Sequence, residues 1–239
     1  MDEKWSFVGK KQKHCAADRE DDWLRGDQWD HVAFDPDSRL VLEVVVGKRT
    51  DTNVEMVVEA TKQRLGGQAP ELVSTDGYPA YEDALLGSFG EEVVPPRTGK
   101  PGRPAGPRLE PPEGMCYGRV QKEKEKGRVV AVQTEVVFGE LPEGEGISTS
   151  YVERHNATDR HRNARKGRKT YRFSKDWEVH EAMTVFTMYS YNFCWAVRTL
   201  RQKQEQGKWQ QRTPAMVAGL TDHVWSLEEW LTLPGVQRT

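Results

Sequence analysis

Three carboxylates in this 239-residue chain stand out by their neighbours: Asp2, Asp76 and Glu153. Asp2 leads into Trp5-Ser6-Phe7-Val8-Gly9, which alternates like a half-buried strand. Asp76 follows the short run Leu72-Val73-Ser74-Thr75 and precedes Gly77, at a strand end where open sheets put ligands. Glu153 lies at the start of a helical stretch that begins near Tyr151. If the fold gathers these side chains, with little local cation to neutralise them, they repel one another and a divalent metal relieves the repulsion. Oxygen-only ligation selects magnesium or manganese over zinc. Two such ions about 4 Å apart can clamp the attacking and leaving oxygens of an in-line phosphoryl displacement, so nucleic-acid cleavage is the natural chemistry.

Each carboxylate also has a plainer reading. Ser150-Tyr151-Val152-Glu153 has the form of a capping box, in which the glutamate bonds back to the helix start. Asp76-Gly77 is a common turn pair, and Asp2 is an ordinary solvated charge near a terminus.

The segment after Glu153 is strongly basic although the whole chain carries a net charge of −2. Arg154, Arg160, Arg162, Arg165, Lys166, Arg168, Lys169, Arg172 and Lys175 are opposed only by Asp159. Asn156 and Arg160 lie three and seven residues after Glu153, on the same helix face, where a cation can hold a phosphate. Asn156, Arg160, Arg162, Arg165, Lys166, Arg168, Lys169, Arg172 and Lys175 are therefore the candidate DNA contacts, against the plainer reading of a solvated face. His155 and His161, six apart, read as polar surface or DNA-contacting groups.

The elements that must position these groups follow from periodicity and turn chemistry. Residues 29–34 and 40–46 read as a hairpin around Asp35-Pro36-Asp37-Ser38. A helix is expected over 52–65, stopped by Gly66-Gly67, then a strand over 72–75 and a helix over 79–86. The Pro-, Gly- and Arg-rich stretch 95–112 reads as an irregular loop that can touch DNA through Arg97, Lys100, Arg103 and Arg108. Strands over 115–121 and 128–138 form an inserted hairpin. A last long helix is expected over 176–201, with a stripe of Val179, Met183, Phe186, Ser190, Phe193, Val197 and Leu200 that packs on its own sheet rather than forming a dimer seam. Trp177, Trp195, Trp225 and Trp230 are expected core anchors.

No apolar run approaches membrane-spanning length, and the terminus lacks the pattern of a secretory signal. Cys15, Cys116 and Cys194 are too far apart to suggest a disulfide framework or a zinc site, which fits a reducing cytoplasm.

Three blocks carry a family resemblance: Asp2-Glu3-Lys4-Trp5-Ser6-Phe7-Val8-Gly9-Lys10-Lys11, Thr75-Asp76-Gly77-Tyr78-Pro79-Ala80-Tyr81 and Tyr151-Val152-Glu153-Arg154-His155-Asn156. In this order, and with Arg165-Lys166-Gly167-Arg168-Lys169, Phe173-Ser174-Lys175, Tyr191-Asn192-Phe193 and Arg212-Thr213-Pro214-Ala215-Met216 downstream, the chain resembles DDE transposases of the insertion-sequence 1 type over almost its whole length. The resemblance implies an α/β, ribonuclease H-like mixed sheet flanked by helices, with an inserted loop and β-hairpin between the second Asp and the Glu. It implies a catalytic domain over 1–205 (insertion about 95–147) and a tail over 206–239 that packs on it or extends from it. Asp2, Asp76 and Glu153 become the triad for two Mg²⁺ or Mn²⁺ ions, and Arg160 the basic residue a helical step beyond. The implied partners are double-stranded DNA, as element ends and target, and a second copy of the chain in a dimer or higher assembly on DNA in the nucleoid. Family members normally carry an amino-terminal DNA-binding region, so end recognition is expected to be missing here, and the alternatives are a catalytic part served by an upstream-encoded DNA-binding chain and a truncated remnant. The rival expectations are a non-catalytic DNA-binding remnant and a ribonuclease H-like nuclease without strand transfer.

Overall fold

The computed structural model describes residues 1–16, 18–95, 106–205 and 207–233. In chain order the elements are β1 (Asp2–Val8), β2 (Gly26–Phe34), β3 (Val41–Gly47), α1 (Asp51–Arg64), β4 (Leu72–Thr75), α2 (Ala80–Phe89), β5 (Glu91–Val93) and β6 (Arg108–Glu110). There follow β7 (Cys116–Glu125), β8 (Arg128–Phe138), α3 (Ser150–Arg162), α4 (Trp177–Cys194), β9 (Gln202–Lys203), β10 (Trp209–Gln210), α5 (Pro214–Val217) and α6 (Leu227–Thr232). The chain is thus mixed α/β, with its strands in several small sheets. It divides into two compact units, one of Met1–Asp2 with Arg49–Ser150, the other of Glu3–Lys48 with the chain from Tyr151 onward.

In the first unit β4 pairs parallel with β7, and β7 antiparallel with β8. Thr50 caps α1 by accepting from Asn53 N, and Gly66 and Gly67 take the left-handed conformations that end it, with Gly67 N donating to Lys62 O at 2.9 Å. Helices α1 and α2 pack together, burying Val54, Val57 and Val58 on one and Tyr81, Leu85 and Phe89 on the other. Strand β7 runs past the expected end at residue 121 to Glu125, and Lys126 and Gly127, both at positive φ, make the turn into β8. Within the expected 95–112 loop lies a short strand, β6, which pairs antiparallel with β5. Arg97, Lys100 and Arg103 lie outside the described residues, and Arg108 is exposed in β6.

The second unit is built on the sheet β1-β2-β3, whose β2–β3 hairpin has a register shift at Ala33/Phe34. Its turn is held as the sequence suggests, with Asp35 accepting from Asp37 N and Ser38 N. Val32, Val41, Val44, Val46, Val152, Met188 and Tyr191 form the apolar core. Asn192 locks α4 to β3, accepting from Val41 N at 2.9 Å and donating to Val41 O at 2.8 Å.

Helix α4 is shorter than the expected 176–201. It starts on Asp176, whose carboxylate accepts from Val179 N, and ends at Cys194 because Trp195 is extended. From there Val197 N donates to Arg212 O, and Trp225 N donates to Phe193 O. Of the expected stripe only Ser190 is buried, and the other buried positions lie beside it. Val179 is exposed, and the buried positions include His180, Thr184, Thr187, Ser190 and Asn192. Phe186 and Phe193 of the stripe are instead covered by Trp230 and Trp225 of the tail, with ring centroids 5.4 Å and 4.5 Å apart. Trp195, expected as a core anchor, is 48% exposed.

Candidate functional site

In the first unit, β4 buries Val73 and Thr75 and delivers Asp76 just past its last residue. The Thr75 hydroxyl lies 2.9 Å from the Tyr117 hydroxyl of β7, which ties this strand end to its neighbour. Burial pushes the Tyr117 phenol above its ordinary value. Gly77 has φ of 85°, a conformation that disfavours a side chain, and Asp76 Oδ1 accepts from Tyr78 N at 3.3 Å to close the turn. Asp2 enters beside this strand: the Met1 ammonium donates to Ser74 O at 2.6 Å, so both aspartates belong to one unit.

Asp76 is not without a local cation, contrary to the sequence reading. Arg49 lies 3.8 Å from its carboxylate and also sits over the Tyr78 ring, 4.2 Å from the centroid, while Tyr78 donates to Asp51. Arg49 immediately precedes the capping Thr50 of α1. Its position in Lys48-Arg49-Thr50 gave no periodicity signal, and only the fold brings it to the end of β4.

Glu153 is half-buried in the first turn of α3 and belongs to the second unit. At the start of this helix Ser148 Oγ accepts from Ser150 N at 3.2 Å. Among the described residues, no three His, Cys, Asp or Glu side chains are gathered into a group that could hold a metal ion. The donor types of Asp2, Asp76 and Glu153 are all carboxylate oxygen, which suits a hard cation such as Mg²⁺ or Mn²⁺. The Asp76 side chain is 36% exposed and open to a ligand.

The second unit holds a cluster that the sequence did not suggest. Helix α3 turns Val152, His155, Asn156 and Asp159 inward at helical spacing. Lys4 of β1 donates to Asp159 and lies 3.0 Å from Asp30 of β2. Lys166 Nζ lies 2.5 Å from the same Asp30 carboxylate. Two lysines and two aspartates thus neutralise one another in a place sealed from water. Thr187 adds a hydrogen bond to Asp159 at 2.9 Å, and His180 faces Ser174 at 2.8 Å and Ser6 at 3.2 Å. The lysines hold Asp30 below the usual carboxylate range against the opposing effect of burial. Burial lowers Lys166 to about 8 and His155 and His180 each to about 4.

This cluster divides the expected DNA contacts. Lys166 and Asn156 are buried, so they do not lie on a surface open to DNA. Arg162 points inward, donating to Thr187 O at 3.0 Å and lying over the Trp195 ring. Arg160 donates to Trp5 O and Lys166 O, and Arg165 is half-buried. Arg168, Lys169, Arg172 and Lys175 are exposed. His155, read as surface, is buried against Phe34, Tyr191 and Met188, whereas His161 is exposed. The buried lysines gave no signal because charge runs are ordinarily solvated.

Comparison with protein-family models, with curated proteins and with solved structures gives no match to this chain.

Proposed function

We propose that this chain is the catalytic domain of a DDE transposase with a ribonuclease H-like fold, cutting DNA at element ends and joining the freed 3′ hydroxyl to target DNA. The observation that carries the reading is the set of three acidic motif blocks in fixed order. Their carboxylates occupy the start of one strand, the end of another and the first turn of a helix. The Met1–Ser74 contact, which brings the start of β1 to β4, supports it.

In this reading Asp2, Asp76 and Glu153 would hold two Mg²⁺ or Mn²⁺ ions. When bound, the ions supply charge neutralisation and an activated oxygen nucleophile for in-line phosphoryl transfer. The chain's own work is positioning. The Thr75–Tyr117 contact and the turn at Gly77 hold Asp76, and exposed Arg168, Lys169, Arg172 and Lys175 attract the DNA backbone.

A second reading, a non-catalytic DNA-binding remnant, draws support from the Arg49–Asp76 pair, which gives one carboxylate a cation other than a metal. The two readings separate on labelled element-end DNA with Mg²⁺. Nicked and joined products that disappear in Glu153→Gln and Asp76→Asn establish the transposase. Binding without cleavage in the unaltered chain establishes the remnant, and cleavage without joined products marks a nuclease.

A further inference from the structure

The basic segment after α3 is anchored at two points. At one, Lys166 is buried on Asp30. At the other, Ser174 is fully buried and bridges to Val8: Gly9 N donates to Ser174 O at 2.8 Å, and the Ser174 hydroxyl meets His180 at 2.8 Å. Just before that anchor Phe173 turns inward onto Phe7, with centroids 4.7 Å apart.

Between the anchors the chain turns outward. Lys169 takes φ of 53°, a left-handed conformation uncommon for a residue with a side chain. Thr170 Oγ1 accepts from Arg172 N at 3.0 Å, which closes a tight turn with Tyr171 at its centre. Tyr171 is 97% exposed, the most exposed large side chain among the described apolar and aromatic residues. Arg168, Lys169, Arg172 and Lys175 around it are exposed, and the segment 160–175 contains no acidic residue. The flanking acids are Asp159, buried on Lys4, and Asp176, whose carboxylate accepts from Val179 N at the start of α4.

A single exposed aromatic needs no explanation by itself. Here the ring stands at the tip of a turn fixed at both ends, among the exposed cations Arg168, Lys169 and Arg172. That combination is the one used to bind unpaired nucleic acid: cations follow the phosphates while an aromatic face stacks on a base. A turn that is already ordered loses little further freedom on binding.

We propose that the turn Gly167–Phe173 is a contact for unpaired DNA, with Tyr171 stacking on an exposed base and Arg168, Lys169 and Arg172 gripping the flanking phosphates. The inference rests on the DNA-binding part of the function proposed above and deepens it, because Tyr171 would recognise strands opened at a cut end.

The test is binding of the full chain, without divalent metal, to three fluorescent oligonucleotides: a single strand, a duplex with a frayed end, and an intact duplex of the same sequence. Tyr171→Ala is expected to weaken binding to the single strand and the frayed end by about 10-fold, the scale of one lost base stack. Its affinity for intact duplex should stay unchanged, and Tyr171→Phe should bind like the unaltered chain. Neutralising Arg168, Lys169 and Arg172 together should weaken all three and flatten the dependence on salt. Equal affinities of Tyr171→Ala and the unaltered chain for all three DNAs overturn the stacking role while leaving the DNA-binding reading intact. Failure of the unaltered chain to bind any of the DNAs, whether or not it binds anionic phospholipid vesicles, overturns both.

Discussion

Lys166 Nζ lies 2.5 Å from the carboxylate of Asp30, and neither side chain has measurable contact with solvent. The residues are 136 positions apart, so this pair fastens the end of the basic segment to the middle strand of the β1-β2-β3 sheet. Lys4 and Asp159 complete the cluster from β1 and α3.

Removing one member of such a pair strands a buried charge, whereas replacing both with apolar groups of similar shape can be nearly neutral. Lys166→Met and Asp30→Asn are each expected to lower stability by about 3–5 kcal/mol, and Lys166→Met combined with Asp30→Leu to recover part of the loss. Denaturant midpoints check this. Single variants within about 0.5 kcal/mol of the unaltered chain would show that the pair carries no net weight.

Stability should also depend on pH in the mildly acidic range. His155 and His180 are held down to about 4, chiefly by burial. An unfolded histidine titrates near 6.5, so between about pH 6.5 and 4 the unfolded chain binds protons that the folded chain refuses. Each group's contribution is therefore complete above about 6.5 and falls as the pH drops toward 4. Together they should lower stability by roughly 2–4 kcal/mol between pH 7 and pH 5, at about 1.4 kcal/mol per unit for each imidazole. Urea unfolding at the two pH values measures it, with a smaller difference expected in His155→Gln. Identical unfolding free energies at pH 7 and 5 would place both imidazoles in contact with water.

Arg49 gives a prediction in the other unit. Its contact with Asp76 is at 3.8 Å and both side chains are more than a third exposed, so the pair should add less than about 1 kcal/mol. Arg49→Ala is expected to unfold at nearly the unaltered denaturant concentration, while its apparent affinity for Mn²⁺ rises several-fold because a competing cation is gone. Calorimetric titration reads the second effect. Weaker Mn²⁺ binding in Arg49→Ala would mean that the guanidinium supports the carboxylate in binding metal.

Much of the fold was legible because local chemistry and tertiary structure agree. The Asp35–Ser38 turn, the Gly66-Gly67 stop and the strand 72–75 all carry short-range signals, and the structure has each of them. The end of α4 was not legible, because Trp195 begins an extended stretch whose partner, Arg212, lies far along the chain. Nor was the inner face of that helix. Periodicity weighs Val179 and Met183 above His180 and Thr184, yet hydrogen-bonding partners decide which of these are buried. At the candidate site, Asp76 could be placed at a strand end from sequence alone. Arg49 and the buried faces of Lys4 and Lys166 required coordinates, since nothing local separates a buried cation from a solvated one.

The proposed function requires Asp2, Asp76 and Glu153 to share bound cations. Replacing Mg²⁺ with Fe²⁺ and adding ascorbate and peroxide generates hydroxyl radicals at the bound metal, which cut the backbone nearby. Mass spectrometry then locates the cuts. The account predicts breaks clustered near residues 2, 76 and 153, suppressed by excess Mg²⁺ and lost at all three places in Glu153→Gln. Cuts confined to other segments, or cuts near residue 76 that persist unchanged in Glu153→Gln, would contradict it.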